Sequence, residues 1–515
     1  MKSIYLKISL VLAAFVLTIS CEPELDPSVE DDQNQIYESG EANFNNYVAV
    51  GNSLTAGFMD GALYREGQQN SFPNIMAGQF EFAGGGEFNQ PLMNDNLGGL
   101  LLNGEQEQPN RFVLAVDELG NPAPAPLAGN PTTEITNTLS GSFNNMGVPG
   151  ARSFELTVNG YGNAGNLPTA ANPYFVRFAS SPDASVIEDA AAQSPSFFSL
   201  WIGNNDVLGY ATNGGSGVDQ TGNPDATTYG PADITDPQLF AQVYSGLVES
   251  LNQSASGGVI FNIPDVTSIP FFKVVPPNPV PLDEETANQL NAQFEAYNTQ
   301  VLGGLAQIGL ITSEEAQQRQ INFSAGDNFV TMQDENLTDL STILQGPPFS
   351  LDPQTAQTLS QLRQATPADL IPLSASSFIG TTVNDNPNLI NGVSVPLSDE
   401  YVLTQDEQNA IQAATNAYNT TIASVAEQND LAFVDVNSIL NEVNESGIPF
   451  SGGILTSEFV TGGSFSLDGI HLTARGNALI VNRAIEAINE QYGSTVPMVN
   501  IGDFKSITPS NDVAQ

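Results

Sequence analysis

The feature that most constrains the fold is a short, uninterrupted apolar run that recurs along the chain. The first run, Tyr47-Val48-Ala49-Val50, leads straight into Gly51-Asn52-Ser53. Similar runs cover residues 197–202 and 259–263, and another covers residues 431–436. Strands that do not alternate between apolar and polar residues are typical of a parallel sheet covered on both faces. The pattern therefore predicts a buried parallel sheet.

Helical segments separate these runs. Helices are predicted over residues 237–251, 284–308 and 405–427, with Asp236 placed to cap the first. Thr404 and Glu407 have the spacing of a capping box for the third. Strands that alternate with helices predict an α/β fold, an open three-layer α/β/α sandwich around a parallel central sheet.

Three stretches rich in Gly, Pro and Asn, at about residues 84–140, 210–235 and 311–400, are too long for ordinary connections. We expect long loop insertions that roof the functional site, and residues 311–400 are a hypothetical lid. A chain of 515 residues has room for one large domain with insertions or for two domains. We predict one domain over residues 46–495, followed by a tail over residues 496–515.

The N-terminus has the pattern of a signal peptide over residues 1–20. Lys2 and Lys7 precede an apolar segment, residues 8–19, that is too short to span a bilayer. Cys21, the only cysteine, follows Leu17-Thr18-Ile19-Ser20 in a pattern that resembles a bacterial lipobox. The resemblance implies lipid attachment at Cys21 and therefore a membrane anchor. A disulfide within the chain is impossible.

Residues 21–45 are predicted to form an acidic, flexible tether. An acidic run directly after a lipidated cysteine resembles the surface-export signal of Bacteroidetes lipoproteins, which implies an outer-membrane location at the cell surface. A solvated linker on the periplasmic face is the alternative. The chain carries 57 acidic and 12 basic residues, a formal charge of -45, so binding to nucleic acid is disfavoured. No EF-hand spacing indicates a calcium site.

His471 is the only histidine, so a histidine general base can only be His471. Asp468, three residues earlier, can bend back to one ring nitrogen and leave the other to face a nucleophile. Taken alone this pair is a weak signal, because a lone histidine near a helix start is more often structural. Ser53 follows a predicted strand, where its hydroxyl can leave the sheet edge as a nucleophile, although a helix N-cap is the competing role.

Two other hydrolase classes fit less well. The α/β-hydrolase elbow needs Gly-x-Ser-x-Gly, but residue 55 is threonine. A metal-dependent hydrolase is disfavoured because one histidine and no cysteine cluster leave only carboxylate ligands. We expect neither a metal nor another cofactor.

Four short motifs occur in order: Gly51-Asn52-Ser53-Leu54, residues 145–150, Gly203-Asn204-Asn205-Asp206, and Asp468-Gly469-Ile470-His471. Together they resemble the motifs of SGNH/GDSL hydrolases. The resemblance implies a flavodoxin-like fold with Ser53 as nucleophile, His471 as base and Asp468 as its partner. It also implies an oxyanion hole formed by the N–H groups of Ser53 and Gly150 and the side-chain amide of Asn205. Each of the last two residues also has a competing structural role. Gly150 can simply form a turn after Pro149, and the side chain of Asn205 can bond its own backbone.

The sequence departs from this family at Asn52, where the usual motif has aspartate. The resemblance implies a serine ester hydrolase that forms an acyl-enzyme and acts on a lipid, short-chain or glycan ester. The negative charge favours neutral substrates over anionic ones. A carbohydrate acetyl esterase is one alternative. A non-catalytic surface binding protein on the same scaffold is another, motivated by Asn52 and the long insertions.

Overall fold

The predicted apolar runs form the strands of one sheet in the computed structural model, which describes residues 36–116 and 120–514. Its strands are β1 (Tyr47–Gly51), β2 (Asn145–Gly147), β3 (Phe197–Trp201), β4 (Gly258–Phe261) and β5 (Ala432–Val434). They are all parallel, in the order β5-β4-β3-β1-β2. This is a doubly wound order whose switch point lies between β1 and β3, where ligands bind at the carboxyl ends of the strands.

Strand β2 was not predicted, because its three residues contain a single large apolar side chain. It joins β1 in register, with Gly51 opposite Gly147. Helix α1 (Ser53–Ala56) packs directly on it. A Cβ atom at Gly147 would lie 2.3 Å from the backbone nitrogen of Ala56, so only glycine allows this approach.

The described part of the chain contains fourteen further α-helices. In chain order they are α2 (Arg65–Gln69), α3 (Phe72–Phe80), α4 (Pro173–Val176), α5 (Val186–Ala192), α6 (Asn205–Thr212), α7 (Pro237–Asn252), α8 (Glu284–Ala296), α9 (Leu302–Gln307), α10 (Ser313–Gln318), α11 (Ser341–Gln345), α12 (Pro353–Leu359), α13 (Gln405–Gln428), α14 (Val436–Glu445) and α15 (Ala474–Tyr492).

Both faces of the sheet are covered, as predicted. Alternate residues of β1 point to opposite sides: Val48 and Val50 belong to the core under α7 and α13, whereas Ala49 belongs to the core under α3 and α15. On the first side Phe240 stacks on Tyr418 at 4.2 Å between ring centres. The mixed α/β class with a parallel central sheet flanked by helices is therefore confirmed.

The predicted caps are also present. Asp236 accepts hydrogen bonds from the N–H groups of Gln238 and Leu239, and α7 begins directly after it. Thr404 and Glu407 form a capping box at the start of α13. The sequence could predict these caps because a cap depends on residues only two or three positions apart.

The helix predicted over residues 284–308 is present, but it does not pack on the central sheet as expected for a helix between two of its strands. Helix α8 continues through a π-helical turn, Tyr297–Val301, into α9. These helices pack in a separate hydrophobic core built from residues 275–402, which we call the large insertion. It replaces the loop expected at residues 311–400 with a folded unit. Its strand pairs are Val280–Leu282 with Gly326–Asn328, Thr331–Gln333 with Leu362–Gln364, and Thr382–Val383 with Asn386–Ile390.

The other expected insertions contain short elements. Residues 84–140 hold the strands Leu100–Leu102, Glu105–Gln106, Phe112–Val116, Pro122–Pro126 and Thr133–Glu134. Residues 210–235 contain the end of α6 and a 3-10 turn, Ala226–Thr228. Beyond α14 lies a hairpin of Ile448–Phe450 and Gly453–Leu455.

The ends of the described chain are tied to the domain. The tail pairs with the hairpin of residues 112–126, since Leu114 bridges to Pro509 and Leu127 to Val513. The folded part begins before residue 46, because Phe44 is 1% exposed. The rest of the predicted tether, the signal peptide and Cys21 lie outside the described residues. Within the described ranges, no helix combines the length and apolar character needed to cross a membrane.

Candidate active site

Ser53 stands at the carboxyl end of β1 as the first residue of α1. Asn52, and not Ser53, caps this helix by accepting a hydrogen bond from the N–H of Leu54 at 3.0 Å. The N-cap role considered for Ser53 is therefore wrong. Its hydroxyl faces the ring of His471 instead, with 2.9 Å between Oγ and Nε2.

The other ring nitrogen of His471 contacts Asp468, with 2.9 Å between Nδ1 and Oδ2. Asp468 is held firmly: Oδ1 accepts from the N–H groups of Ile470 and His471 and from the hydroxyl of Ser466, and Oδ2 accepts from the N–H of Gly61. Burial alone would raise the pKa of Asp468, but the charge of His471 and these hydrogen bonds outweigh it and hold the pKa well below its usual range. The carboxylate therefore stays ionised at neutral pH.

The turn between Asp468 and His471 requires glycine. Gly469 has a φ of 72°, and a Cβ atom there would lie 3.0 Å from the backbone nitrogen of Phe271. The N–H of Phe271 donates to the carbonyl of Gly469 at 3.0 Å. Leu373 of the large insertion lies close to the same turn. The lid hypothesis for residues 311–400 stays a prediction, and this contact is where they approach the site.

The three expected oxyanion donors lie around the same sheet edge. Gly150 has a φ of 82°, and a Cβ atom added there would meet no other atom within 4 Å, so the left-handed backbone, rather than lack of space, calls for glycine. In the described part of the chain the N–H groups of Ser53 and Gly150 have no hydrogen-bond partner. Asn205, the first residue of α6 after β3, donates from Nδ2 to the carbonyl of Ala151 at 2.9 Å. This bond fixes its amide and contradicts the alternative in which it bonds its own backbone.

Asp206 positions this region, although sequence reasoning assigned it no role. It is fully buried and accepts from both the N–H and the hydroxyl of Ser153, at 2.8 and 2.7 Å. These bonds join α6 to the loop that carries Gly150. Burial raises the pKa of Asp206 to about 6, despite the hydrogen bonds from Ser153.

Asp60 is a second buried carboxylate that sequence reasoning missed. It accepts from the N–H of Leu467 and from the hydroxyl of Tyr64, and its own N–H donates to Ser466. Burial raises the pKa of Asp60 to about 6. Asp60 therefore stabilises the loop before Asp468, and no local motif in the sequence predicts that contact.

Asn52 makes a second hydrogen bond beside its cap. Its Nδ2 donates to Oδ1 of Asn204 at 3.3 Å. A carboxylate at this position could only accept, so the amide of Asn204 would have to turn around to donate. An aspartate at position 52 would therefore reverse the direction of this one buried hydrogen bond.

Two spaces meet at the site. One is an apolar cavity that reaches Ser53, His471 and Asn205 and is lined by Trp201 and by residues of α14 and α15. The other is an open cleft beside Gly150 and Asn205, lined by the polar side chains of Arg152 and Glu155 and by Pro231. No residue of 311–400 lines either space, whereas Pro231 comes from the expected insertion at 210–235.

Comparison of the chain with protein-family models, with curated proteins and with solved structures gave no match. What defines the class of site is therefore its own geometry. It comprises a serine, a histidine and an aspartate joined by two 2.9 Å contacts at the switch point of a doubly wound sheet.

Proposed function

We propose that the protein is a serine ester hydrolase of the SGNH type, with Ser53 as nucleophile. The observation that carries this proposal is the unbroken sequence of contacts from Ser53 Oγ to His471 and on to Asp468. The SGNH assignment is supported by the strand order and by the places of the four motifs. Ser53 follows β1, Asn205 follows β3, and the Asp-x-x-His turn precedes the last long helix.

In the proposed reaction, His471 Nε2 takes the proton of Ser53 as Oγ attacks the ester carbonyl carbon. The N–H groups of Ser53 and Gly150 and the amide of Asn205 would stabilise the negative oxygen of the tetrahedral intermediate. The C–O bond to the alcohol then breaks, and His471 returns the proton to the leaving oxygen. Water attacks the acyl-enzyme with the same base, which releases the acid. Asp468 fixes the tautomer of His471 that leaves Nε2 free to accept.

The two spaces suggest how an ester would lie. The apolar cavity suits an acyl chain, since Leu440, Val443 and Leu479 line it away from Ser53. The open cleft, with Arg152 and Glu155, suits the alcohol. Burial of one methylene contributes about 0.8 kcal/mol, so kcat/KM should rise up to about fourfold for each added carbon that the cavity accepts.

The test is hydrolysis of p-nitrophenyl acetate, butyrate and octanoate by protein that lacks residues 1–21. We expect rates that rise from acetate to octanoate, and loss of activity in Ser53→Ala and His471→Ala. Ser424→Ala, at an exposed serine on α13, is the matched control. A fluorophosphonate probe should label the wild type and the control, and not Ser53→Ala.

Other outcomes would redirect the proposal. Turnover confined to acetyl esters, together with release of acetate from acetylated polysaccharide, would indicate a carbohydrate acetyl esterase. Absence of both turnover and labelling would contradict a hydrolase and favour the surface binding protein.

A further inference from the structure

A group of three carboxylates, Glu335, Asp399 and Glu407, lies apart from the residues proposed for ester hydrolysis. We call it the carboxylate cluster. One oxygen from each residue lies within 4.8 Å of the others. Glu335 is exposed, Asp399 is half-buried, and Glu407 is only 3% exposed. Like charges so close together and partly withdrawn from water repel each other strongly unless something neutralises them.

Two oxygens of the cluster are enclosed without a hydrogen-bond partner in the described part of the chain: Oε1 of Glu407 and Oδ1 of Asp399. The other oxygen of Glu407 accepts from the N–H of Thr404 in the capping box of α13. None of the ion pairs between described residues includes a member of the cluster. Ionised carboxylates only accept hydrogen bonds, so their close contact needs a shared proton or a cation.

We propose that the carboxylate cluster is a binding site for a divalent cation, with Ca²⁺ as the preferred ion. Calcium takes about six to eight oxygen ligands at about 2.3–2.6 Å in flexible geometry, so three oxygens within 4.8 Å of one another can share one ion. Magnesium, with bonds of about 2.0–2.1 Å, demands near-ideal octahedral geometry and keeps several of its waters, so carboxylates from three different parts of the fold favour calcium. The exposed position of Glu335 leaves one side open to the water ligands that would complete the shell.

The three ligands come from different parts of the fold, which is why no local motif reveals them. Glu335 follows the strand Thr331–Gln333, and Asp399 begins a short 3-10 turn; both belong to the large insertion. Glu407 belongs to the first turn of α13, which packs on the central sheet. A bound cation would therefore fasten the insertion to the helical layer.

The loop after α6 meets the same cluster. A Cβ atom at Gly214 would lie 2.1 Å from the carbonyl oxygen of Asp399, and one at Gly215 would lie 2.1 Å from the carboxyl carbon of Glu407. Because α6 begins with Asn205, the site joins the far end of this helix to the insertion. The expected effect of the cation is greater thermal stability of the whole chain, independent of ester hydrolysis.

The test uses the full chain, stripped with EDTA and passed over a chelating resin. Isothermal titration calorimetry with CaCl₂ and with MgCl₂ measures affinity, and differential scanning calorimetry measures Tm. We expect a saturable Ca²⁺ site with at least tenfold weaker Mg²⁺ binding, and a Tm that rises with Ca²⁺. Glu335→Gln, an exposed change that should leave the fold intact, should weaken Ca²⁺ binding at least tenfold.

Glu427→Gln removes one negative charge from an exposed position on the same helix α13 and is the matched control. It should keep the wild-type affinity. In metal-free buffer Glu335→Gln should melt at a higher temperature than the wild type, because it relieves the repulsion. Absence of saturable Ca²⁺ binding would overturn the proposal in favour of a shared proton. Equal Ca²⁺ responses in the two variants would overturn it in favour of diffuse binding to an acidic surface.

Discussion

Replacement of Asp468 by asparagine tests the proposed triad most directly. Oδ1 faces three donors, the hydroxyl of Ser466 and the N–H groups of Ile470 and His471. The asparagine oxygen should occupy that position, which places its NH₂ where Oδ2 now accepts from Gly61 and from His471 Nδ1. Nδ1 would then accept a hydrogen bond, and Nε2 would carry the proton and face Ser53 as a donor.

The replacement should affect both the rate of hydrolysis and the stability of the fold. Histidine in the wrong tautomer is a poor base, and the same replacement in a serine protease triad lowers kcat about 10⁴-fold, or about 5.4 kcal/mol of transition-state stabilisation. The NH₂ group also opposes the N–H of Gly61, and a buried donor without an acceptor costs about 1–3 kcal/mol of folding free energy. We therefore expect a folded variant with slightly lower stability and a severe loss of activity.

The assay is steady-state hydrolysis of p-nitrophenyl butyrate at about pH 7.5, with the free energy of unfolding from urea titration. Asp503→Asn, at an exposed aspartate near the C-terminus, is the control for loss of one charge. A folded Asp468→Asn variant with kcat within about tenfold of the wild type would refute the orienting role of Asp468.

The oxyanion donors, the apolar cavity and the buried Asp206 can each be tested separately. Asn205→Ala should lower kcat by about 100-fold to 1000-fold with little change in KM, measured by steady-state kinetics, because an oxyanion donor acts mainly in the transition state. Ile439→Trp should fill the apolar cavity, so the octanoate-to-acetate ratio of kcat/KM should fall while acetate hydrolysis persists. The folded-state pKa of Asp206, about 6, exceeds the ordinary value of 3.8, so the folded state binds this proton more tightly. Its contribution to stability should therefore grow as the pH falls from about 7 to about 4, by up to about 3 kcal/mol, and urea titrations at several pH values should show this gain missing in Asp206→Asn.

Four of the five central strands could be predicted because each is an apolar run without interruption. Strand β2 could not, since Asn145 and Gly147 become buried only through their contacts with β1 and α1. Periodicity identified α8 as a helix but carried no information about its packing partner. The core of the large insertion is likewise assembled from short elements whose apolar residues are scattered over more than a hundred positions.

The proposed triad was accessible to sequence reasoning for a particular reason. The only histidine has its aspartate three residues away, and Ser53 follows the clearest strand. The groups that hold the triad in place were not accessible. Asp60 reaches Leu467 across 407 residues, and Asp206 reaches Ser153 across 53, so neither contact leaves a local trace. Asn52 shows the same limit, because only the structure reveals that it, and not Ser53, caps α1.

Ser53 and His471 lie 418 positions apart in the chain, so they are synthesised at very different times. At translation rates of about 5–20 residues per second, the nucleophile is synthesised about 20–80 s before the base. A nascent chain that has grown only as far as α13 holds a serine with no histidine beside it. If the proposed hydrolase activity is present, it therefore begins only once the last tenth of the chain has been synthesised and has docked on the sheet.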